Sequence, residues 1–213
     1  MSELTFDCVD IGAERYAATP TIRLRLRISE TGGADVHAMA LRCQIRIEPQ
    51  RREYSDAEAG RLLDLFGERS RWGDTLKPMQ LAELSVMVPG FKGSTEVDLA
   101  VPCTYDFEVA SAKYLHGVEE GTVPLLLLFS GTVFTKGPGG IAVERVPWDK
   151  EAPCRLPVAV WREVMDLYFP GTAWIRVRRE TLDALQRFKS HRALPTWDDA
   201  IGALIEGAEE STG

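Results

Sequence analysis

Histidine, the usual general base near neutral pH, is scarce in this sequence. The 213 residues include only His37, His116 and His191, and none of them stands in a metal-binding or nucleophile motif. His37 lies beside a turn-forming segment and His191 at the end of a basic helix, so both are expected at the surface. A hydrolase that uses Asp106 or Asp149 with His116 is therefore only a third hypothesis for the function.

Two tryptophans in predicted loops indicate a second kind of chemistry, ligand binding. Trp72 and Trp148 fall outside the periodic apolar patterns, whereas Trp161 belongs to a helical apolar stripe and is predicted to lie in the core. Exposed aromatic rings serve as platforms for sugars and small ligands, although they also mark partner surfaces. The candidate ligand-binding residues are Trp72, Asp74, Tyr105, Asp106 and Trp148. The plain alternative is that the aspartates cap turns and strand ends.

Arginines on predicted strands form the third group. Arg23, Arg25 and Arg27 alternate with aliphatic residues, and Arg42 and Arg46 do the same in the next strand. If the two strands form a hairpin, all five project from one wet face, where they could dock an acidic partner. Cross-strand pairing with Glu96, Asp98 and Glu108 is the structural alternative. The candidate partner-binding residues are Arg23, Arg25, Arg27, Arg42, Arg46 and Trp72.

Cysteine and glycine patterns indicate neither a cofactor nor a metal. Cys8, Cys43, Cys103 and Cys154 stand far apart, without a C-x-x-C pair, so we expect reduced core thiols. Neither of the glycine-rich phosphate-binding motifs is present in the sequence. We therefore predict no cofactor and no metal ligands.

Charge and hydropathy limit the partners. The formal net charge is −7, which disfavours nucleic acid as a partner because the basic footprint is missing. The longest apolar run, residues 123–129, is far shorter than a membrane span and reads as a buried strand. The first residues contain no basic and apolar export signal, so a cytoplasmic location is expected. A protein partner remains, and the oligomeric state stays open.

Most of residues 1–150 shows strand patterning. Residues 21–28 alternate strictly, and after a turn at 29–35 the alternation resumes at 39–47, which predicts an antiparallel hairpin. Residues 123–134 and 141–146 predict a second hairpin at the centre of the sheet. Residues 110–116 fit either a strand or a short helix.

Helical signals interrupt and follow these strands. Ser55 and Glu58 form a capping-box pattern for a short inserted helix, which Gly67 ends. From Pro157 the apolar period becomes 3.6, and two further helices follow, the last starting at Thr196. A short strand is predicted at 174–177, and the last helix is expected to bury Ala200, Ile201, Leu204 and Ile205. The predicted fold is mainly β (α+β): an antiparallel sandwich or curved sheet with the helices packed on it.

We expect one cooperative domain over residues 1–213, with a β-rich body at 1–150 and a helical part at 151–213. No repeat and no low-complexity linker separates the two parts.

Five segments taken together resemble an uncharacterised family of bacterial proteins of about this size. They are residues 71–75 (RWGDT), 101–106 (VPCTYD), 123–134, 146–148 (VPW) and 197–200 (WDDA). The resemblance covers nearly the whole chain, and members lie near genes for nickel–iron uptake hydrogenases. It implies an accessory or assembly role and no catalytic residue. Nickel delivery is disfavoured because clustered His and Cys are missing. The leading hypothesis is a non-enzymatic interaction protein.

Overall fold

Alternating apolar and polar residues build the strands of a two-layer sandwich. The computed structural model describes residues 3–104, 106, 109–137, 139–172 and 175–211. Among these residues the strands are β1 (Leu4–Ala13), β2 (Thr21–Glu30), β3 (Asp35–Ile47), β4 (Met79–Phe91), β5 (Ser94–Pro102), β6 (Thr122–Gly137), β7 (Gly140–Arg145) and β8 (Glu151–Pro157). The helices are α1 (Asp56–Arg61), α2 (Leu63–Phe66), α3 (Trp72–Thr75), α4 (Ala110–Gly117), α5 (Val158–Tyr168), α6 (Arg179–His191) and α7 (Trp197–Glu210).

The strands form two open antiparallel sheets, as the sequence predicted. Sheet A has the order β1-β2-β5, and sheet B has the order β4-β3-β6-β7 with β8 also paired to β6. The core lies between them, where the rings of Phe6 in sheet A and Phe129 in sheet B stack at 4.2 Å. Leu26, Ile28 and Ile45 are fully buried there. Burial of these alternating faces fixes the register of each strand.

The predicted hairpin of β2 and β3 is wrong. β2 pairs with β1 and β5, whereas β3 pairs with β4 and β6, so the short connection crosses from one sheet to the other. The buried carboxylate of Glu30 stabilises this crossing, since it accepts hydrogen bonds from the backbone N–H groups of Glu3, Gly32 and Ala34. Gly33, at φ +84°, supplies the left-handed residue of the turn.

The hairpin of β6 and β7 is confirmed, with Gly137 opposite Gly140. β6 is central as predicted, because β3 covers one edge while β7 and β8 share the other. Residues 110–116, which the sequence left open, are helical in α4. Tyr105, a candidate ligand-binding residue, and Glu108, one of the carboxylates proposed to pair with the arginines, lie outside the described residues.

The inserted helix and the later helices follow their capping signals. Both sides of the capping box at Ser55 and Glu58 form, and Gly67 ends α2 at φ +72°. α5 packs on β1, β2 and β8 and buries Trp161, which is 4% exposed.

The chain divides into two compact units, Met1–Ala173 and Trp174–Gly213. In the second, α6 and α7 contact each other, and Thr196 caps α7 as predicted.

Two expectations for the second unit are wrong. Residues 175–177 are irregular rather than a strand, because three residues cannot hold an extended ribbon without a pairing neighbour; Trp174 lies outside the described residues. On α7 Ala200 is buried, but Ile201, Leu204 and Ile205 are 37%, 42% and 54% exposed. A helical apolar stripe does not by itself show that enough neighbouring surface exists to cover it.

Candidate protein-binding surface

The arginines of β2 point outward from sheet A and are paired with carboxylates. Arg25 makes two hydrogen bonds to Asp98, at 2.9 and 3.1 Å, and Arg27 lies 2.7 Å from Glu96. Arg23 lies 2.9 Å from Asp10 on β1. The hydrogen bond from Arg25 lowers the pKa of Asp98, and the same bond raises the pKa of Arg25. These guanidinium groups therefore already have anionic partners within the sheet.

Arg42 and Arg46 do not share that face. They lie on β3 in sheet B, whose outer surface points away from the outer surface of sheet A. Arg42 contacts Glu83 at 3.4 Å, and Arg46 donates to Gln44 at 3.1 Å. The expectation of one continuous arginine face is wrong, because it depended on the hairpin that does not form.

The segment between β3 and β4, which we call the insertion, contains an aromatic cluster in which Trp72 is half-buried. Its indole N–H donates to the carbonyl oxygen of Gly67 at 2.9 Å, and its ring meets Tyr54 edge to face at 5.1 Å. Phe66 and Tyr114 complete the cluster. Packing on several sides leaves little of this ring for a ligand.

The other candidate ligand residues lie in separate segments. Trp148 is 94% exposed in the connection between β7 and β8, and Asp74 is exposed in α3. The backbone N–H of Asp106 donates to Thr104 Oγ1 at 3.1 Å, and Tyr105 lies outside the described residues. Trp148 alone of the two candidate platforms presents its ring to solvent.

His116, the candidate base, lies on α4 against α5. Its ring meets Trp161 edge to face at 6.4 Å. Burial, followed by the positive charges of Arg61 and Arg162, lowers the pKa of this imidazole below its ordinary value. Asp149, its proposed partner, lies in the turn after β7.

The insertion also contains a buried polar network, which the sequence pattern did not indicate. The guanidinium of Arg52 binds both carboxylate oxygens of Glu58, at 3.0 and 2.6 Å, and donates to the carbonyl oxygen of Glu120. Burial opposes ionisation of Glu58, but hydrogen bonds from Arg52 and from the backbone N–H groups of Glu119 and Ser55 lower its pKa to about 2. This network joins the insertion to the segment before β6.

Beside it, the hydroxyl groups of Tyr54 and Tyr114 lie 2.8 Å apart, and Tyr54 donates to the carbonyl oxygen of Pro49. Burial, and then the neighbouring Tyr114, raise the pKa of Tyr54. Because every one of these groups has a partner, the cluster is suited to holding the insertion in place rather than to reacting.

The outer face of sheet B carries an apolar surface that the sequence reading did not identify. Directly opposed residues of neighbouring strands share a face, and two such rows cross this one. One row is Pro89, Ala38, Phe134 and Val143, and the next is Met87, Ala40, Thr132 and the charged Arg145. We call these residues except Arg145, together with Ile141 on β7, the apolar outer patch.

The patch is open to solvent. On β7, Val143 is 63% exposed and Ile141 is 57% exposed. On β4, at the other edge of the same sheet, Met87 is 63% exposed. Beside Met87 lies a shallow depression of about 360 Å³, lined by Arg42 and by small residues such as Ala40, Ser85 and Gly131. A partner side chain can enter this depression.

β7 adds an open edge next to the patch. It is the last strand in the order of sheet B, and among the residues that the structure describes it pairs with β6 alone. Five of its six residues are exposed. Edge strands are usually protected by proline, charged side chains or a bulge. Residues 140–145 contain neither proline nor lysine, and their charged residues, Glu144 and Arg145, are confined to the end of the strand. Met87 was the available sequence signal, since it is an apolar residue out of phase with Leu84, Val86 and Val88.

No cluster of three or more His, Cys, Asp or Glu in the described part of the chain could hold a metal ion. Within the same residues, every helix is too short or too polar to cross a bilayer.

Solved structures resemble the chain only distantly. The CARDB domain of the PF1109 protein from Pyrococcus furiosus, in complex with di-metal ions, is 9% identical, with 73% of this chain and 92% of that chain covered at a TM-score of 0.29. A β-glucosidase from Kluyveromyces marxianus is 12% identical and covers 73% of this chain but 15% of its own, at 0.25. The sporulation control protein Spo0M from Bacillus subtilis is 11% identical, with coverages of 88% and 56%, at 0.24. These TM-scores carry no argument about function.

No curated protein matches the sequence. The profile of one protein family does match, and it does so over residues 1–213, which is the whole of the chain. The protein therefore belongs to DUF6084, a family of unknown function.

Proposed function

We propose that this protein is a non-enzymatic accessory protein that binds a protein partner through the apolar outer patch and the free edge of β7. The observation that carries the proposal is the exposure of Ile141 and Val143 on the edge strand β7, together with Met87, which is exposed on the same sheet at β4. The partner we infer is an extended segment with alternating apolar residues, which adds a strand to sheet B.

Strand addition fits both features of this surface. Main-chain hydrogen bonds to β7 supply affinity without regard to sequence, and pockets for alternate side chains supply specificity. Val143 and Phe134 stand opposite each other on the patch, so a partner side chain one strand further out would extend the same row. Burial of the exposed side chains of Ile141 and Val143 by the added strand would then favour association.

The arginines of β2 are the weaker alternative. Each has a carboxylate of sheet A as a partner, so an acidic protein would have to compete with Asp98, Glu96 and Asp10. The observed pairing thus favours the apolar outer patch over the arginine surface named in the sequence reading.

The setting we propose is assembly or maturation of a larger redox enzyme. The resemblance to proteins whose genes lie near those for nickel–iron uptake hydrogenases supports this setting. It predicts that the partner is a subunit or an assembly intermediate of such an enzyme.

Affinity capture from native lysate tests the patch. We expect the double variant Met87→Asp, Val143→Asp to lose a partner that the unchanged protein captures, because each carboxylate would have to be desolvated at the contact. Tyr16→Asp is the matched control, since Tyr16 is 95% exposed but lies in the turn between β1 and β2. In the purified complex, backbone amides of residues 140–145 should exchange with deuterium more slowly than in the free protein.

The outcome against the proposal is equally specific. A partner retained by the double variant but lost when Arg23, Arg25 and Arg27 are all changed to Glu would assign binding to sheet A. Equal deuterium exchange of residues 140–145 in the free and bound protein would exclude strand addition to β7.

A further inference from the structure

The two sheets meet edge to edge along a seam formed by β1 and β8. Within the described residues, β1 has a ladder only with β2, and β8 only with β6, so no ladder crosses the seam. A disulfide between Cys8 on β1 and Cys154 on β8 joins the two sheets instead, with the Cα atoms 5.8 Å apart. For these two cysteines the expectation of reduced thiols is wrong, because the fold brings together residues 146 positions apart.

The disulfide is reachable from solvent through a cleft. Cys8 and Cys154 both line a cavity of about 570 Å³, which lies within the range of roughly 300–1,000 Å³ typical of small-molecule sites. Cys8 is half-buried and Cys154 is 8% exposed. The register of β1 shifts between Cys8 and Asp10, which marks an irregularity of the strand at the cleft wall. We call this cavity the seam cleft.

The charges around the seam cleft favour an anion. Arg51, Arg155 and Asp10 line it. Asp10 is paired with Arg23 at 2.9 Å, and Arg51 with Glu48 at 2.6 Å. Arg155 is exposed and forms no ion pair with another described residue, so its charge is available to an entering molecule.

The other two cysteines offer no comparable site. Cys43 is fully buried, and burial raises its pKa to about 12; burial likewise raises the pKa of the half-buried Cys103 to about 12. Both therefore remain protonated, poorly nucleophilic thiols at neutral pH.

We propose that the Cys8–Cys154 disulfide is a thiol–disulfide exchange site that takes small thiols carrying carboxylates, which enter through the seam cleft. The thiolate of the small molecule attacks the Sγ of Cys8; a new S–S bond forms while the Cys8–Cys154 bond breaks, and Cys154 leaves with the electron pair and takes a proton from water. A second small thiol attacks the mixed disulfide, freeing Cys8 and releasing the oxidised dimer. The protein gains two electrons, and two small thiols are oxidised to one disulfide.

Reduction removes the covalent link across the seam. It leaves the hydrogen-bonded ladders of both sheets intact, because the backbone pairing of β1 with β2 and of β8 with β6 does not depend on the cysteine side chains. The exchange therefore acts on how firmly β1 and β8 are held together, while the strand order stays the same.

The test uses the native full chain, purified without reductant, and reduced glutathione as the probe. After acid quenching, free thiols are alkylated and located by peptide mass mapping. We expect Cys8 and Cys154 to become alkylated together as glutathione is raised, with a transient glutathione adduct on Cys8, while Cys43 and Cys103 stay unmodified until the chain is unfolded. Reduction of Cys8 and Cys154 only after unfolding, or free thiols at both before any reductant is added, would overturn the proposal.

The charge preference is tested by comparing glutathione with the neutral thiol 2-mercaptoethanol. We expect Arg155→Ala to slow exchange with glutathione by about threefold or more at low ionic strength and to leave the rate with 2-mercaptoethanol unchanged. Arg187→Ala, an exposed arginine of α6, is the control and should change neither rate. An equal effect of Arg155→Ala on both thiols, or none on either, would refute the part of the proposal that concerns anionic thiols.

Discussion

Arg52 and Glu58 are the clearest case of a residue pair whose role depends on burial. Their side chains are only 10% and 5% exposed, so each charge has lost most of its hydration and depends on the other. The pair also has backbone partners at Glu119, Ser55 and Glu120. Removing one charge leaves the other buried without its counterion.

We expect Glu58→Gln to lower the free energy of unfolding by roughly 3 kcal/mol at neutral pH, as for other buried pairs that lose one partner. The pKa of Glu58 is about 2 in the folded protein against an ordinary value of 4.5. Because the pKa of Glu58 is lower in the folded than in the unfolded protein, its ionised carboxylate stabilises the fold at pH values above the unfolded pKa. This contribution to the free energy of unfolding is lost as the pH falls from about 4.5 to about 2. Urea unfolding at several pH values should therefore show the difference between the two proteins shrinking over that interval.

Glu53→Gln is the matched control for this measurement, since Glu53 is an exposed carboxylate of the same insertion. A difference between the Glu58→Gln variant and the unchanged protein that is constant from neutral pH to pH 2 would contradict the assigned ionisation.

At the scale of the elements, β6 organises sheet B. Its 16 residues pair with β3 along one edge and with β8 and then β7 along the other. Gly131 lies between the stretch of β6 that pairs with β8 and the stretch that pairs with β7. Its φ of +145° is a backbone conformation that residues with a side chain rarely adopt. A Cβ atom at Gly131 would lie 2.1 Å from the carbonyl oxygen of Ala40 on β3. The close approach of β3 and β6 thus requires glycine at this position.

We expect Gly131→Ala to lower the free energy of unfolding by roughly 2–4 kcal/mol, since it combines backbone strain with a backbone clash that no side-chain rotation can relieve. Gly60→Ala is the control, because Gly60 lies in α1 with open space around its Cα. That change should be neutral or stabilise the protein by about 0.5–1 kcal/mol. Equal thermal stability of the Gly131→Ala variant and the unchanged protein would show that β3 and β6 are less closely apposed than described.

At the scale of the whole molecule, the large hydrophobic core is built by the first unit. Its described members run from Leu4 in β1 to Met165 in α5. The second unit contains α6 and α7, which contact each other. One cooperative domain over residues 1–213, which we expected from the sequence, stays a prediction.

Because the core is assembled from residues 4–165, we expect a chain that ends at Thr172 to fold and to keep the unfolding temperature of the first unit. Circular dichroism and the fluorescence of the buried Trp161 measure this. A large fall in unfolding temperature after removal of residues 173–213 would instead support the single cooperative domain.

The sequence alone was sufficient for most elements. The local signals are the alternation in β2 and β3, the apolar run in β6, the capping boxes at Ser55 and Thr196, and the change to helical period after Pro157. Each predicted the element that forms. The resemblance also anticipated an uncharacterised family of this size, and the family is confirmed over the whole chain.

Only the tertiary structure decided which strands pair and which surfaces remain free. β2 and β3 are neighbours in sequence but lie in different sheets, so the arginine residues divide between two outer faces, and Cys8 meets Cys154 across the seam. Periodicity reports that a strand has one apolar face; it does not report which strand lies beside it, because pairing is chosen by contacts far apart in the chain. The exposure of Val143 and the burial of Arg52 also depend on contacts between residues that are far apart in the chain.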